Sequence, residues 1–317
     1  MAELLSWTES LCPYCLRRVP ARRVAEDDAV YLEKKCSVHG ELARVLLWRS
    51  GPRAYGEWSR FGGKTAKGPK KYLTSKAHGC PYDCGLCVDH KQDTCSAILE
   101  VTQQCNLSCP ICFSAAKKPI AADPDLSRIA QMLQSLLDCG GPYPIQLSGG
   151  EPTLRDDLPQ IVALARKKGY EHVQINTNGL RLARDIDYGQ ALKDAGTTTV
   201  FLQFDGVTDD VYRQIRGTAL LSLKLRAIER CGQLKIGVIL VPTLIRKLND
   251  NQVGSIIQLA KKWIPTVKGV HFQPMTYLGR YPHAPANEDR ILIPDLLDAI
   301  DRQTGGELRV DNLVPPG

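Results

Sequence analysis

Residues 97–113, AILEVTQQCNLSCPICF, constrain this chain more than any other stretch. A short apolar strand over Ala97–Thr102 runs straight into Cys105, Cys109 and Cys112, spaced C-x3-C-x2-C. Thiolates that close suit a cubane iron–sulfur cluster, which has four irons to ligate. Three ligands leave one iron open, and an open position separates a metal site that binds something from one that is closed and structural. A structural zinc knuckle is the competing reading.

The chain has 317 residues, 43% of them hydrophobic, enough for one large domain and a small one. No apolar run is long enough to span a bilayer. The N-terminus has neither a basic start nor a long apolar core, so it is not a signal peptide. A cytoplasmic protein is expected, and there grouped cysteines mean metal and not disulfides. Of twelve cysteines, ten fall into three groups: Cys12, Cys15 and Cys36; Cys80, Cys84, Cys87 and Cys95; and the triplet after the first strand. Cys139 and Cys231 stand alone beside glycines and read as buried small hydrophobes.

In chain order, residues 1–50 read as a small metal-binding ribbon. Cys12-Pro13-Tyr14-Cys15 and Cys36-Ser37-Val38-His39 are two knuckles about 20 residues apart, flanking strands near 22–24 and 30–34 with a turn at Glu26-Asp27-Asp28. That spacing fits a mononuclear zinc or iron site, with His39 as fourth ligand or as a turn residue before Gly40. Residues 51–79 read as a basic linker, docked through Trp58 and Phe61. Arg60, Lys64, Lys67, Lys70, Lys71 and Lys76 supply much of the net charge of +7 without stacking aromatics, so a solvated segment is expected and not a nucleic-acid partner. Residues 80–96 repeat the C-x3-C-x2-C spacing in Cys80, Cys84 and Cys87, and Cys95 adds a fourth thiol. Four local thiols can close a cluster, so this segment reads as an auxiliary 4Fe-4S site that handles electrons, with structural zinc as the competing reading. His90 reads as a surface residue.

Residues 97–290 alternate strand and helix. Strands are expected at 97–102, 145–148, 172–176, 199–204, 236–241 and 269–273, each followed by a helical pattern. Leu126, Ile129, Ala130, Leu133, Leu136 and Leu137 make one apolar stripe, stopped by Gly140-Gly141. Six β/α units mean a parallel sheet with helices outside, and six are too few for an eight-fold barrel. An α/β partial (β/α)6 barrel follows, with its chemistry at the carboxyl ends of the strands. Polar residues gather there: Ser148-Gly149-Gly150-Glu151, Asn176-Thr177-Asn178-Gly179 and Gln203-Phe204-Asp205-Gly206. Residues 291–317 hold a last helix, Ile293–Gln303, read as a cap over the open barrel edge, and a tail. Arg280-Tyr281-Pro282-His283 reads as an exposed loop on the substrate side.

Cys105-x3-Cys109-x2-Cys112 after the first strand, with Gly149-Gly150-Glu151 after the second, resembles the signature of the radical SAM enzymes. The resemblance covers residues 97–275. It implies a 4Fe-4S cluster whose open iron chelates S-adenosylmethionine, and a 5′-deoxyadenosyl radical that abstracts hydrogen from substrate. It implies that Gly149 and Gly150 permit close backbone approach, and that Glu151 or its neighbouring carbonyl receives the methionyl ammonium. Asn176, Asn178, Gln203 and Asp205 match, by position, the strand ends that reach ribose and carboxylate. Ile111 stands where an aromatic residue is common. A reductant such as ferredoxin or flavodoxin is implied as a partner.

HGCPYDCGLC and LSGGEPTLRDDLP resemble the branch with class D radical SAM methyltransferases and tetraether lipid synthases. CPYC, YLEKKCSVHG, VFLQFDG, GVHFQP, GRYP and QTGGELR resemble the radical SAM (seleno)protein family TrsS. The branch implies methylation or carbon–carbon bond formation at unactivated carbon, with small-molecule, lipid or peptide substrates open. In the TrsS-like pattern a cysteine or selenocysteine follows the Pro315-Pro316-Gly317 motif, so truncation at a UGA codon is expected, which the DNA past codon 317 tests. A peptide or cofactor maturase using the same radical is the nearest rival. A zinc-ribbon protein touching nucleic acid through 60–76 is the remote one, and it leaves the six β/α units unexplained.

Overall fold

The computed structural model describes residues 2–59, 68–83, 87–90, 94–116 and 122–315. The chain forms two compact units, Met1–Asp93 with Ala286–Gly317, and Thr94–Pro285.

In the first unit, β1 (Glu3–Leu11), β2 (Arg18–Glu26), β3 (Ala29–Cys36) and β4 (Gly40–Glu41) form an antiparallel sheet in sequence order, and β5 (Val45–Trp48) pairs with β3. The expected turn is a two-residue one. Glu26 faces Ala29, and Asp27 and Asp28 both have positive φ, 49° and 62°. That is the hairpin geometry whose twist matches the flanking strands, and aspartate tolerates it. β1 was not legible from the sequence. Its register slips between Leu4 and Ser6, and Leu4, Leu5 and Trp7 are all exposed, so no clean alternation marks it. The linker segment begins as a folded piece, α1 (Tyr55–Ser59), with Tyr55 and Trp58 against Trp48. Phe61, Arg60, Lys64 and Lys67 lie outside the described residues.

The last helix, here α9, spans Ile293–Gln303. It packs within the ribbon unit: Arg49 pairs with Asp295 at 3.3 Å, and Asn287 just before the helix bridges Leu46 N–H and the Arg44 carbonyl. An amphipathic stripe says that a helix is covered, not by what.

The second unit is a six-stranded all-parallel sheet in sequence order: β6 (Ala97–Thr102), β7 (Ile145–Gly149), β8 (Val173–Thr177), β9 (Thr199–Gln203), β10 (Gly237–Val241) and, past the short β11 (Thr243–Leu244), β12 (Val267–Val270). The helices between strands are α2 (Leu126–Cys139), α3 (Leu158–Lys167), the pair α4 (Leu180–Arg184) and α5 (Ile186–Asp194), the pair α6 (Asp209–Arg216) and α7 (Leu221–Gln233), and α8 (Val253–Lys262). Asp125 caps α2, accepting from Arg128 N–H at 2.7 Å, and Gly140 ends it at φ 136°. The last strand starts earlier than its sequence pattern suggested, because Val267 docks beside Val238; Gln273–Pro274 is instead a separate short strand, β13, paired with β11.

Alternate strand residues, such as Leu99, Leu147, Ile175, Leu202 and Leu240, are buried with Ile129, Leu133, Ile161, Ile228 and Ile256 of the helices in one core. Strands of a parallel sheet covered on both faces read as near-continuous apolar runs. These alternate, and the face turned from the helices carries Glu100, Gln146, Ser148, Gln174, Asn176 and Gln203. Cys139 and Cys231 are buried on the helix side, and burial pushes the Cys231 thiol up to about 12, which makes it inert.

Candidate active site and metal sites

The loop after β6 holds Cys105, Cys109 and Cys112. Cys109 is buried and its two partners are half-buried. Two distant segments fix this loop. From one side, Arg280 donates Nε to the Cys109 carbonyl at 2.7 Å, and Cys112 and Arg280 exchange both backbone hydrogen bonds, at 2.9 and 2.8 Å. The bridge needs Gly279: at φ 68°, a Cβ there would sit 2.1 Å from the Phe113 carbonyl oxygen. Arg280, read as part of an exposed substrate-side loop, is therefore a clamp on the cysteine loop.

From the other side, Arg216 at the end of α6 donates Nη1 to the Ile111 carbonyl at 3.1 Å and lies against the Cys109 thiol. Its Nε and Nη2 grip both oxygens of Asp205 at 2.7 and 2.8 Å. Asp205 is fully buried. Burial opposes the charge on Arg216, but Asp205 outweighs it and raises the guanidinium above its ordinary value. Burial pushes the Cys105 and Cys109 thiols up, with Arg216 pulling against it at Cys109. At Cys112 burial is outweighed by the Ser114 hydroxyl, the Ala116 N–H and Arg280, and the thiol sits below its usual value. Three thiols on one loop, beside two cations that favour thiolates, fit an anionic thiolate-ligated cluster.

The strand ends around this loop close on one another. Gly150 N–H bonds the Thr102 carbonyl at 2.8 Å and Glu151 N–H the Gln104 carbonyl at 2.7 Å. A Cβ on Gly149 would lie 2.0 Å from the Thr102 oxygen, and one on Gly150 2.1 Å from the Gln104 oxygen. The close backbone approach expected of these glycines is to the chain's own cysteine loop. The Glu151 carboxylate is buried and spent internally. It accepts from Thr153 N–H and hydroxyl, from the Thr177 hydroxyl at 2.6 Å, and from Asn178 N–H at 2.7 Å.

Asn178 is likewise engaged: its amide donates to Asn106 in the cysteine loop at 2.8 Å and accepts from Leu180 N–H at 3.0 Å. Gln203 donates to Asp205 and accepts from Lys224 at 3.0 Å. Asn176 faces the other way along the sheet, toward Gln146 and Gln174. The structure thus gathers Glu151, Asn178, Gln203 and Asp205 under the cysteine loop as its scaffold. Arg216, Arg280, Lys224 and Asn249, whose amide ties the Asp205 and Thr243 carbonyls, belong to that scaffold too and were not singled out from the sequence for it.

In the first unit, Cys12, Cys15, Cys36 and His39 bring their ligand atoms within 4.8 Å of one another. The Val38 N–H, bonded to Cys36 Sγ at 3.4 Å, and then His39 hold the Cys36 thiol down to about 6, close to the thiolate a metal needs. Cys80 is exposed and Cys87 buried in this unit, Cys95 is exposed in the second, and Cys84 lies outside the described residues. Asp83 accepts three successive N–H groups, Ala77 to Gly79, and shapes the turn into Cys80, whose Tyr82 hydroxyl donates to the Cys15 carbonyl at 3.0 Å. His90 lies here too, its N–H bonding the Cys87 carbonyl.

Comparison with known proteins follows this division. The profile of the radical SAM superfamily matches residues 99–260, and that of the HMPTM N-terminal zinc ribbon domain matches residues 4–49. The chain is 41% identical over 314 residues to a 7,8-dihydro-6-hydroxymethylpterin dimethyltransferase of Methanocaldococcus jannaschii, covering 97% of this chain and 60% of that protein. It is 33% identical over 187 residues to an Fe-coproporphyrin III synthase of Methanosarcina barkeri, covering 58% of this chain and 44% of that one. The chain therefore spans less than two thirds of these relatives. Native anSMEcpe with bound AdoMet superposes with a TM-score of 0.50 at 18% identity, over 68% of this chain and 63% of that one; methylornithine synthase does so at 0.50 and 15%, over 67% and 62%. Both show the fold alone.

Proposed function

The chain belongs to the radical SAM superfamily, and from that premise we propose that it is the radical SAM core of an enzyme that methylates carbon on a reduced pterin. The observation that carries this reading is the 41% identity to a pterin dimethyltransferase, which runs through ribbon and barrel alike. The alternative, peptide or cofactor maturation by the same radical without methyl transfer, has no relative matched over as much of this chain.

Cys105, Cys109 and Cys112 hold the 4Fe-4S cluster in this reading. When bound, the cluster supplies the electron that cleaves S-adenosylmethionine to the 5′-deoxyadenosyl radical. The protein's part is to hold the loop still and to present polar groups. Arg216 and Arg280 fix it through carbonyls inside it, and Glu151 and Asn178 tie it to β7 and β8. Backbone carbonyls at Gly149 and Gly150 receive the methionyl ammonium, the Glu151 carboxylate being committed elsewhere. Asn178, Gln203 and Asp205 act by holding the wall of the site, and Asn176 is held in the amide row with Gln146 and Gln174. Cys80, Cys84, Cys87 and Cys95 are assigned to a second cluster on their spacing alone, and a ferredoxin or flavodoxin delivers the electrons. No described helix is long and apolar enough to cross a membrane.

The test is anaerobic turnover of reconstituted protein with dithionite, S-adenosylmethionine and 7,8-dihydro-6-hydroxymethylpterin. With S-adenosylmethionine in excess as methyl donor and dithionite supplying two electrons per methyl, the expected products are 5′-deoxyadenosine and methionine from the S-adenosylmethionine that makes the radical, S-adenosylhomocysteine from the one that gives its methyl, and a pterin heavier by one or two methyl groups. No 5′-deoxyadenosine would overturn the radical reading. 5′-Deoxyadenosine with unmethylated pterin would overturn the substrate and leave the radical chemistry standing.

The ribbon site is assigned to zinc, on its ligand set and the zinc-ribbon match. Cys36→Ser is expected to drop zinc by one equivalent in elemental analysis and to lower the thermal midpoint, since structural zinc contributes on the order of 10 kcal/mol to folding small ribbons. A ratio unchanged from wild type refutes the assignment.

A further inference from the structure

The face of the barrel sheet turned away from the helices has two chemically different halves. On β6, β7 and β8 it is polar apart from Ile98, which is exposed beside Gln146. Glu100 sits beside Ser148, and Gln146 sits beside Gln174 in the parallel register. Asn176 donates to Gln146 Oε1 at 2.9 Å and accepts from Gln174 Nε2 at 3.0 Å. These bonds orient all three amides and leave the Gln146 NH2 and the Gln174 oxygen to face outward. Glu100 is exposed, and among the described residues its carboxylate has neither a cation nor a donor. On β9 and β10, short of Gln203 at the strand end, the same face turns apolar at Phe201 and Ile239. Asn176 neighbours Phe201, and Phe201 neighbours Ile239. The His271 ring packs on Phe201 with centroids 5.8 Å apart.

An aromatic pair, Phe201 and His271 at 41° to each other, beside a row of oriented amides and a carboxylate uncommitted among the described residues suits a flat, nitrogen-rich ring. It does not suit an alkyl chain, which would cover Glu100 and the amides without pairing them, at a cost for each buried polar group. We propose that this face is the pterin subsite: the ring lies along Phe201 and His271, and Glu100 receives the exocyclic 2-amino group and the adjacent ring N–H. Those two N–H groups point the same way, and a carboxylate offers two acceptors at matching spacing, the geometry of a bidentate charge-assisted pair. Gln146 and Gln174 meet the remaining ring oxygen and nitrogens with one donor and one acceptor. The proposal rests on the pterin methyltransferase reading and adds the residue that reads the ring.

A residue-by-ligand cycle tests it. Binding of 7,8-dihydro-6-hydroxymethylpterin, and of its analogue with oxygen in place of the 2-amino group, is measured anaerobically by fluorescence on reconstituted wild type, Glu100→Gln and Glu100→Asp. Iron content and circular dichroism report that each variant is folded. Wild type is expected to prefer the amino compound by about 10- to 100-fold, the worth of one charge-assisted hydrogen bond. Glu100→Gln is expected to bind the two compounds alike, and Glu100→Asp to keep part of the preference. A Glu100→Gln protein that discriminates as wild type does overturns the proposal while the pterin reading stands. A wild type that binds neither compound overturns the pterin reading, and the subsite with it.

Discussion

Replacing Arg216 by leucine is expected to cost the protein about 3–5 kcal/mol of folding stability. The loss is not that of a surface pair, where the whole interaction is worth under about 1 kcal/mol. Asp205 is fully buried and Arg216 is nearly so, and the guanidinium grips both carboxylate oxygens. Without it, Asp205 keeps only the Gln203 amide and the Thr243 N–H, at 3.2 Å, as donors to an ion out of water. The same change removes the donor to the Ile111 carbonyl, so iron retention should fall with stability. A double-mutant cycle separates pairing from packing. Arg216→Leu and Asp205→Leu should each destabilise strongly in urea unfolding under argon, and the double variant should be little worse than either. Costs that simply add would show that the two residues act independently.

The strand-then-cysteine pattern and Gly149-Gly150-Glu151 made the barrel and the site's centre legible, because both are local: a strand end, a glycine and a thiol need only their neighbours to be recognised. The ribbon was legible for the same reason, as two knuckles at metal spacing. The bracing was not. Arg280 meets Cys109 across 171 residues and Arg216 meets Ile111 across 105, and nothing in Leu278-Gly279-Arg280 or Arg216-Gly217 distinguishes a buried clamp from a loop or a helix end. The strand-end residues were legible as a group. Glu151, Asn178 and Asp205 look available in sequence, and only the fold reveals the bonds that each makes within the chain. One signal was readable. On α7, Lys224 stands at the spacing of Ala227, Ile228 and Cys231, all buried, so a lysine occupies the apolar stripe.

That lysine sets the second large effect. Lys224 is fully buried, with Nζ 2.6 Å from the Asn178 carbonyl and 3.0 Å from Gln203 Oε1. Burial lowers its pKa to about 7 from an ordinary 10.5, against the pull of Asp205 and with the help of Arg216; Glu151 and Cys109 pull upward, and the Tyr212 ring lies 6.0 Å away. Below pH 7 folded and unfolded chains both carry the proton. Between about pH 7 and 10.5 the unfolded chain carries it and the folded one does not, so the unfolded state binds more protons and stability rises with pH. Each unit of such a shift is worth about 1.4 kcal/mol, so the rise should reach a few kcal/mol. Other groups titrate in this window, and Lys224→Met removes this one contribution while leaving theirs. Urea midpoints of the two proteins, taken from pH 7 to 10 under argon, should diverge, with wild type gaining on the variant as pH rises. Parallel curves would mean that Lys224 keeps its proton throughout. The cation would then sit permanently between the Asn178 carbonyl and Gln203, and the charge beneath the cysteine loop would be two positive groups against Asp205 where a neutral amine leaves one.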